Sequence, residues 1–152
     1  MKTIFIDLDD TLCNFSKLHK EWSEKFDAEF PQGIKHFFQE LEIIKDASRV
    51  VNRLIDSEIY DVWILSSPSV MNPNSYTEKR LWVESYFGFD FCHRLILATD
   101  KSLVRGHGSK SNNFLIDDCT EGKGQDGFYG KLIHFGSERF PDWNSVEKYF
   151  FP

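Results

Sequence analysis

Ile4-Phe5-Ile6-Asp7-Leu8-Asp9-Asp10-Thr11-Leu12 sets a short apolar run directly against a cluster of carboxylates. An apolar run of this length, ended by polar residues, reads as a buried strand, and the acids after it occupy the loop that leaves its carboxyl end. In a parallel sheet such loops line the ligand crevice. Asp7 and Asp9 would point to opposite faces if the strand continued, so the chain has to turn there. Clustered carboxylates repel one another unless a proton or cation sits among them, and a divalent metal is the economical remedy. The same stretch also reads as an acidic turn or helix cap, where Asp and Thr are common. A calcium loop fits poorly, because the glycine and closing glutamate of that motif would fall at Leu12 and Leu18.

Working outward, Val62-Trp63-Ile64-Leu65, Leu95-Ile96-Leu97, Phe114-Leu115-Ile116 and Leu132-Ile133-His134-Phe135 repeat the pattern of a short buried strand. Between them Ala47, Val50, Val51, Leu54 and Ile55 recur at the three- and four-residue offsets of one helix face. Ser75-x-x-Glu78 reads as a capping box that opens a second helix through Leu81, Trp82, Tyr86 and Phe87, with Gly88 as its terminator. Strands alternating with helices predict an α/β fold, an open and mostly parallel sheet with helices on both faces. Residues 13–45 interrupt the alternation. They are rich in Phe, Lys and Glu, helical over Leu18, Trp22 and Phe26, and broken at Pro31-Gln32-Gly33, and they read as a small, mainly helical inserted cap on a core of residues 1–12 and 46–152. Arg105–Asn113 and Glu121–Gly130 carry the glycines and polar residues of loops.

The 152 residues suit one domain, and a hydrophobic fraction of 41% with 28% charged residues is ordinary globular usage. A net charge of −6 has the wrong sign for gripping duplex nucleic acid through its phosphates. Cys13, Cys92 and Cys119 show neither metal-site nor disulfide spacing, so reduced thiols in a cytoplasm are expected. Asp7 cuts short any signal-peptide stretch, and no run approaches the ~20 apolar residues of a membrane span.

Asp117-Asp118 repeats, after Phe114-Leu115-Ile116, the motif of a strand that ends in acids. Two such strand ends can share one hard cation, which suits magnesium. Each acidic pair taken alone reads equally as an exposed turn. Ser66-Ser67-Pro68, at the end of the second strand, offers hydroxyl donors to an anion, although hydroxyls at strand ends are frequent. Lys79, placed in the first turn of the Ser75 helix, opposes the helix dipole and so suggests a compensating role beside an anion. A solvated lysine like its neighbour Arg80 is the plain alternative.

Together these elements make a site for a phosphate, and in their order they resemble the four motifs of the haloacid dehalogenase superfamily of phosphatases. The runs Ile64-Leu65-Ser66-Ser67-Pro68, Tyr76 to Gly88, Asp100-Lys101, Leu115-Ile116-Asp117-Asp118, Ile133-His134-Phe135-Gly136 and Phe140-Pro141-Asp142-Trp143 are most similar to the 5'(3')-deoxyribonucleotidases. That resemblance implies a Rossmann-like sheet with a small cap, Mg2+, and hydrolysis of nucleoside monophosphates as small-molecule partners. It further implies Asp7 as nucleophile and Asp9 as acid and base. Magnesium would be held by Asp7, the Asp9 carbonyl and Asp117, with Thr11 and Asp118 behind them. Ser66, Ser67, Lys79 and Lys101 would lie around the phosphate, and Phe15 against the nucleotide. Thr99 and Cys119 stand where relatives carry arginine, and the cap is short. Trp22, Phe26, Phe30, Phe37 and Phe38 are candidates for stacking on a base, though an aromatic stripe at helical spacing is more often cap core. Two other readings stay open: a phosphatase for another small phosphomonoester, and a phosphoacceptor module that holds its phosphate.

Overall fold

The computed structural model describes residues 1–152. Strands β1 (Lys2–Ile6), β2 (Tyr60–Ser66), β3 (Leu95–Leu97), β4 (Asn113–Asp117) and β5 (Lys131–His134) form one sheet in the order β3-β2-β1-β4-β5, with every neighbouring pair parallel. Each apolar run named above lies in one of these strands, Phe135 following β5 by one residue. The fold is the α/β class that the alternation predicts. Ile6 stands level with Ile64 on one side and Ile116 on the other, so Asp7 and Asp117, each one residue further on, leave the sheet together. They do so where β1 and β4 meet, the point at which the chain changes its direction of travel across the sheet.

Four α-helices accompany the strands: α1 (Phe15–Phe26), α2 (Ala47–Asp56), α3 (Asn74–Phe87) and α4 (Trp143–Phe150). In α2 the predicted face is the buried one, through Ala47, Val50, Val51 and Leu54. α3 stops at Gly88, whose φ of +89° is the conformation glycine adopts at no steric cost. The capping box expected at its start is not formed. The helix begins one residue before Ser75, whose hydroxyl donates to the Ser69 carbonyl at 3.0 Å, while the Glu78 carboxylate accepts from the backbone N–H groups of His36 and Phe38. Lys79 therefore lies in the second turn of α3, not the first, and Arg80 pairs with Glu84. A reciprocal capping box occurs instead at α4, between Asp142 and Ser145.

The two faces of the sheet are covered unequally. Ile4, Ile6, Val62, Ile64, Phe114, Ile116 and Ile133 share one large core with the buried residues of α2, α3 and α4, and α1 lays Phe15, Leu18 and Trp22 against it. Phe5, Leu65 and Leu115, on the opposite face, meet Phe128 with Val104, beside the 3-10 turns Lys101–Leu103 and Gln125–Gly127. Handedness accounts for the split. The steps β1→β2→β3 and β4→β5 run in opposite directions across the sheet, so right-handed crossovers must pass over opposite faces. The β4→β5 connection, 13 residues long from 118 to 130, fits one such turn and no α-helix.

Residues 13–45 leave and re-enter the core beside each other, at an isolated bridge between Cys13 and Ile43. Between these ends lie α1 and the 3-10 turns Pro31–Gly33 and Phe37–Gln39. Phe37, Phe38 and Leu41 are buried in the same large core as α2 and α3. The Trp82 indole N–H donates to the Leu41 carbonyl at 2.8 Å, which anchors this segment to α3.

Candidate active site

The turn after β1 is built around one carbonyl. Leu8 sends its side chain into the core, and its C=O accepts the backbone N–H groups of Thr11, Leu12 and Cys13 at 2.8–3.1 Å. Asp10 takes the left-handed conformation that completes the turn, with φ +57°, a region that Asp tolerates better than most residues. Its carboxylate then accepts from Ser16 N at 2.9 Å and Ser16 Oγ at 2.6 Å, tethering the start of α1. Asp7 and Asp9 are thereby left on the side of the loop that faces the end of β4.

A cavity of about 240 Å³ opens there, lined by Asp7, Asp9, Asp10, Asp117 and Asp118 among others. Lys101 Nζ lies 2.7 Å from Asp7 Oδ1 and 2.5 Å from Asp117 Oδ2, joining the two strand ends through one ammonium. Lys79 Nζ lies 2.7 Å from Asp9 Oδ2 and 2.9 Å from Ser66 Oγ. Both lysines are only 1% exposed, which rules out a solvated role for Lys79. Thr11, fully buried, accepts from Asp118 N at 3.1 Å and donates to Asp118 Oδ1 at 3.3 Å, so it ties the β1 loop to the β4 loop. Asp117 is further fixed by Cys119 N at 2.9 Å and by Gln125 Nε2.

Of the residues singled out in the sequence, Asp7, Asp9, Phe15, Ser67, Lys101, Asp117 and Asp118 line this cavity, with Ser66, Lys79 and Thr11 directly behind it. Two of them are engaged differently from expectation. Lys101 spends its charge on two carboxylates, and the Ser67 hydroxyl donates to the Ala98 carbonyl at 2.8 Å, bridging the ends of β2 and β3. Among the aromatics, Phe37 and Trp22 pack edge-on at 5.4 Å as core, and Phe38 alone of the five reaches a second, adjoining cavity of about 430 Å³. Thr99 lines that second cavity and Cys119 the first. Sequence reading missed Gln125, Lys123 and Gln32. Lys123 lines both cavities and Gln32 the second. They lie in loops whose composition marks a turn but nothing about what it faces.

Burial pushes the Asp7 carboxyl above the usual range; Lys101 opposes this and Asp117 reinforces it. Asp9 moves up for the same reason, against Lys79. Asp118 is pushed up to about 7 by burial, then by Asp7, Asp117 and Asp10. Burial alone would lower the Lys101 ammonium, but Asp7 and Asp117 more than offset it and its pKa is raised. Burial lifts the Cys119 thiol to about 11, so it is a protonated bystander near neutral pH.

These features fit a divalent cation. Five carboxylates meet only three ammonium groups, those of Lys79, Lys101 and Lys123, and mutual repulsion persists at Asp7, Asp9 and Asp118. Asp7 Oδ2 and the Asp9 carbonyl accept no hydrogen bond from the protein. The donors are all hard oxygens, the set that magnesium prefers.

A family model described as 5' nucleotidase, deoxy (pyrimidine), cytosolic type C protein matches residues 29–148. The chain belongs to that family. Among its relatives, a Vibrio phage KVP40 protein described as a candidate 5'(3')-deoxyribonucleotidase is 36% identical, over 96% of this chain and 82% of its own length. The human mitochondrial 5'(3')-deoxyribonucleotidase is 39% identical over 74% of this chain, which spans only 41% of that longer protein. A haloacid dehalogenase-like hydrolase from Xanthomonas campestris shares the fold, with a TM-score of 0.56 at 10% identity, covering 79% of this chain and 74% of its own. The nucleotidase family is one of phosphoric monoester hydrolases, and the cluster of acids and lysines described above is chemistry suited to that reaction.

Proposed function

We propose that the protein is a magnesium-dependent phosphatase of deoxyribonucleoside and ribonucleoside monophosphates that works through an aspartyl-phosphate on Asp7. The observation that carries this reading is the convergence of Asp7 and Asp117, 110 positions apart in sequence, on one Lys101 ammonium beside Asp9, Lys79 and Ser66. A bound magnesium ion, held by Asp7, Asp117 and the Asp9 carbonyl, would supply positive charge that offsets repulsion between carboxylate and phosphate.

In the first step a carboxylate oxygen of Asp7 attacks phosphorus, a P–O bond forms, and the bond to the ribose oxygen breaks. The departing oxygen keeps the electron pair and takes a proton from Asp9. In the second step Asp9, now ionised, accepts a proton from water as its oxygen attacks phosphorus and the Asp7–phosphate bond breaks, releasing inorganic phosphate. An acid that starts protonated needs a raised pKa, which is the direction burial gives Asp9. Lys79 and Ser66, bonded to each other beside Asp9, would hold phosphoryl oxygens, and Lys101 keeps the two strand ends together. Residues 13–45 serve as the cap over the second cavity, with Phe15 against the nucleotide. The free cysteines suit a cytoplasmic setting.

Phosphate release from the common nucleoside monophosphates, with and without magnesium, tests the reading. It expects turnover only with the metal. A preference for sugar phosphates, or indifference to the base, would mark a phosphatase for another phosphomonoester. A stable phosphorylated Asp7 without phosphate release would mark a phosphoacceptor module.

A further inference from the structure

Lys123 lies in the β4–β5 connection between two glycines of positive φ, Gly122 at +96° and Gly124 at +86°. Its main chain is fixed on both sides. The N–H donates to Gln125 Oε1 at 2.8 Å and the C=O accepts from Lys101 N at 2.8 Å, while Gln125 Nε2 reaches Asp117. Its ammonium, by contrast, forms no ion pair or hydrogen bond with the protein, although Asp100 and Asp126 line a third cavity that Lys123 also borders. Lys79 faces Asp9, and Lys101 faces Asp7 and Asp117. Lys123 is therefore the one uncommitted cation of the site.

The 240 Å³ cavity of the acids and the adjoining 430 Å³ cavity share Asp9, Phe15, Ser67 and Lys123 as lining residues. An ester with its phosphate among the acids and its alcohol in the larger cavity crosses that junction with its reacting bond, beside the Asp9 that protonates the leaving oxygen. A phosphate monoester brings close to two negative charges near neutral pH. We infer that Lys123 is a further catalytic residue: its ammonium, on a long flexible stem, donates to the non-bridging phosphoryl oxygens at this junction and stabilises the charge on them during transfer. It stays protonated throughout and moves no proton. This rests on the phosphatase reading above.

Wild type, Lys123→Met and Lys123→Arg, each with magnesium, test it through two readouts. One is steady-state kinetics on dUMP and on the nucleoside-free ester p-nitrophenyl phosphate; the other is calorimetric titration with orthovanadate, a phosphoryl mimic whose binding needs no turnover. Lys123→Met is expected to lower kcat/KM about tenfold to a hundredfold on both esters alike and to weaken orthovanadate binding in step. Its melting temperature should not change, because the side chain leaves no partner behind. Lys123→Arg, which keeps the charge, is expected to recover most of both losses. Wild-type behaviour of Lys123→Met, an equal loss in Lys123→Arg, or a loss on dUMP alone with p-nitrophenyl phosphate and orthovanadate unaffected would each overturn the assignment. Wild-type protein that hydrolyses p-nitrophenyl phosphate but no nucleotide would instead overturn the nucleotidase reading, and the comparison on that ester and on orthovanadate would still decide the role of Lys123.

Discussion

Lys101 is the residue on which the metal-free site depends, since it alone bridges Asp7 and Asp117. Lys101→Met leaves both carboxylates buried without their counter-charge, a loss of about 3–5 kcal/mol for a broken buried pair. Chemical denaturation should show that loss in chelator and a clearly smaller one in excess magnesium; equal losses would mean the cation does not bind between these acids. Asp118 gives the pH dependence. Its pKa rises from 3.8 to about 7 on folding, so the native state holds a proton that the unfolded chain gives up. The stabilisation is complete below pH 3.8 and is lost as pH rises through about 7. The melting temperature of the metal-free protein should therefore fall between pH 5 and pH 8, and magnesium should flatten that slope. A rising melting temperature over the same range in chelator would contradict it. At this scale the meeting of Asp7 and Asp117 was legible, because residues at strand ends are placed by the strand, whereas Lys79 was singled out for a first-turn position that it does not hold. Lys101 as a bridge was not, because which acids an ammonium meets depends on how loops 98–104 and 118–125 fold back over the sheet.

Glu78 shows how an element can be found while the role of its residues is misread. The helix predicted after Ser75 exists, but the Ser-x-x-Glu pattern serves other partners: Glu78 holds the backbone of His36 and Phe38, and so fastens residues 13–45 to α3. Spacing alone cannot separate a glutamate that folds back on its own helix from one that reaches across to a neighbouring segment. Glu78→Leu strands the buried Phe38 N–H and releases that of exposed His36, and should cost about 1–3 kcal/mol, with a KM that rises more than kcat falls, because the segment it anchors carries Gln32 and Phe38. An unchanged KM would detach this segment from substrate binding. Gly124 is the second element-scale test. Its φ is +86°, and a Cβ there would lie 2.1 Å from Asp100 Oδ1 and 2.8 Å from Lys101 N. Gly124→Ala should lower stability by about 1–3 kcal/mol and reduce turnover by displacing Lys101. Full activity in this variant would show that the Lys101 turn tolerates movement.

Across the whole molecule the sheet was the legible part, since five short apolar runs separated by helical or loop segments leave few arrangements other than a parallel α/β sheet. The crowding of α1, α2 and α3 onto one side was not, because it follows from strand order and crossover hand, which apolar runs do not encode; α4, which joins no two strands, packs on the same side. The order β3-β2-β1-β4-β5 has its functional consequence at β1 and β4, whose level ends bring Asp7 beside Asp117 and make a single centre of two distant acidic pairs. If that centre transfers phosphate as proposed, Asp7→Asn should fold normally and lose turnover by about three orders of magnitude or more. The intermediate itself is the most direct object of measurement. Wild-type protein turning over a radiolabelled nucleoside monophosphate with magnesium, quenched rapidly in acid and mapped by peptide, should carry the label on Asp7. Continued phosphate release with Asp7 unlabelled, or with label on another residue, would contradict the account.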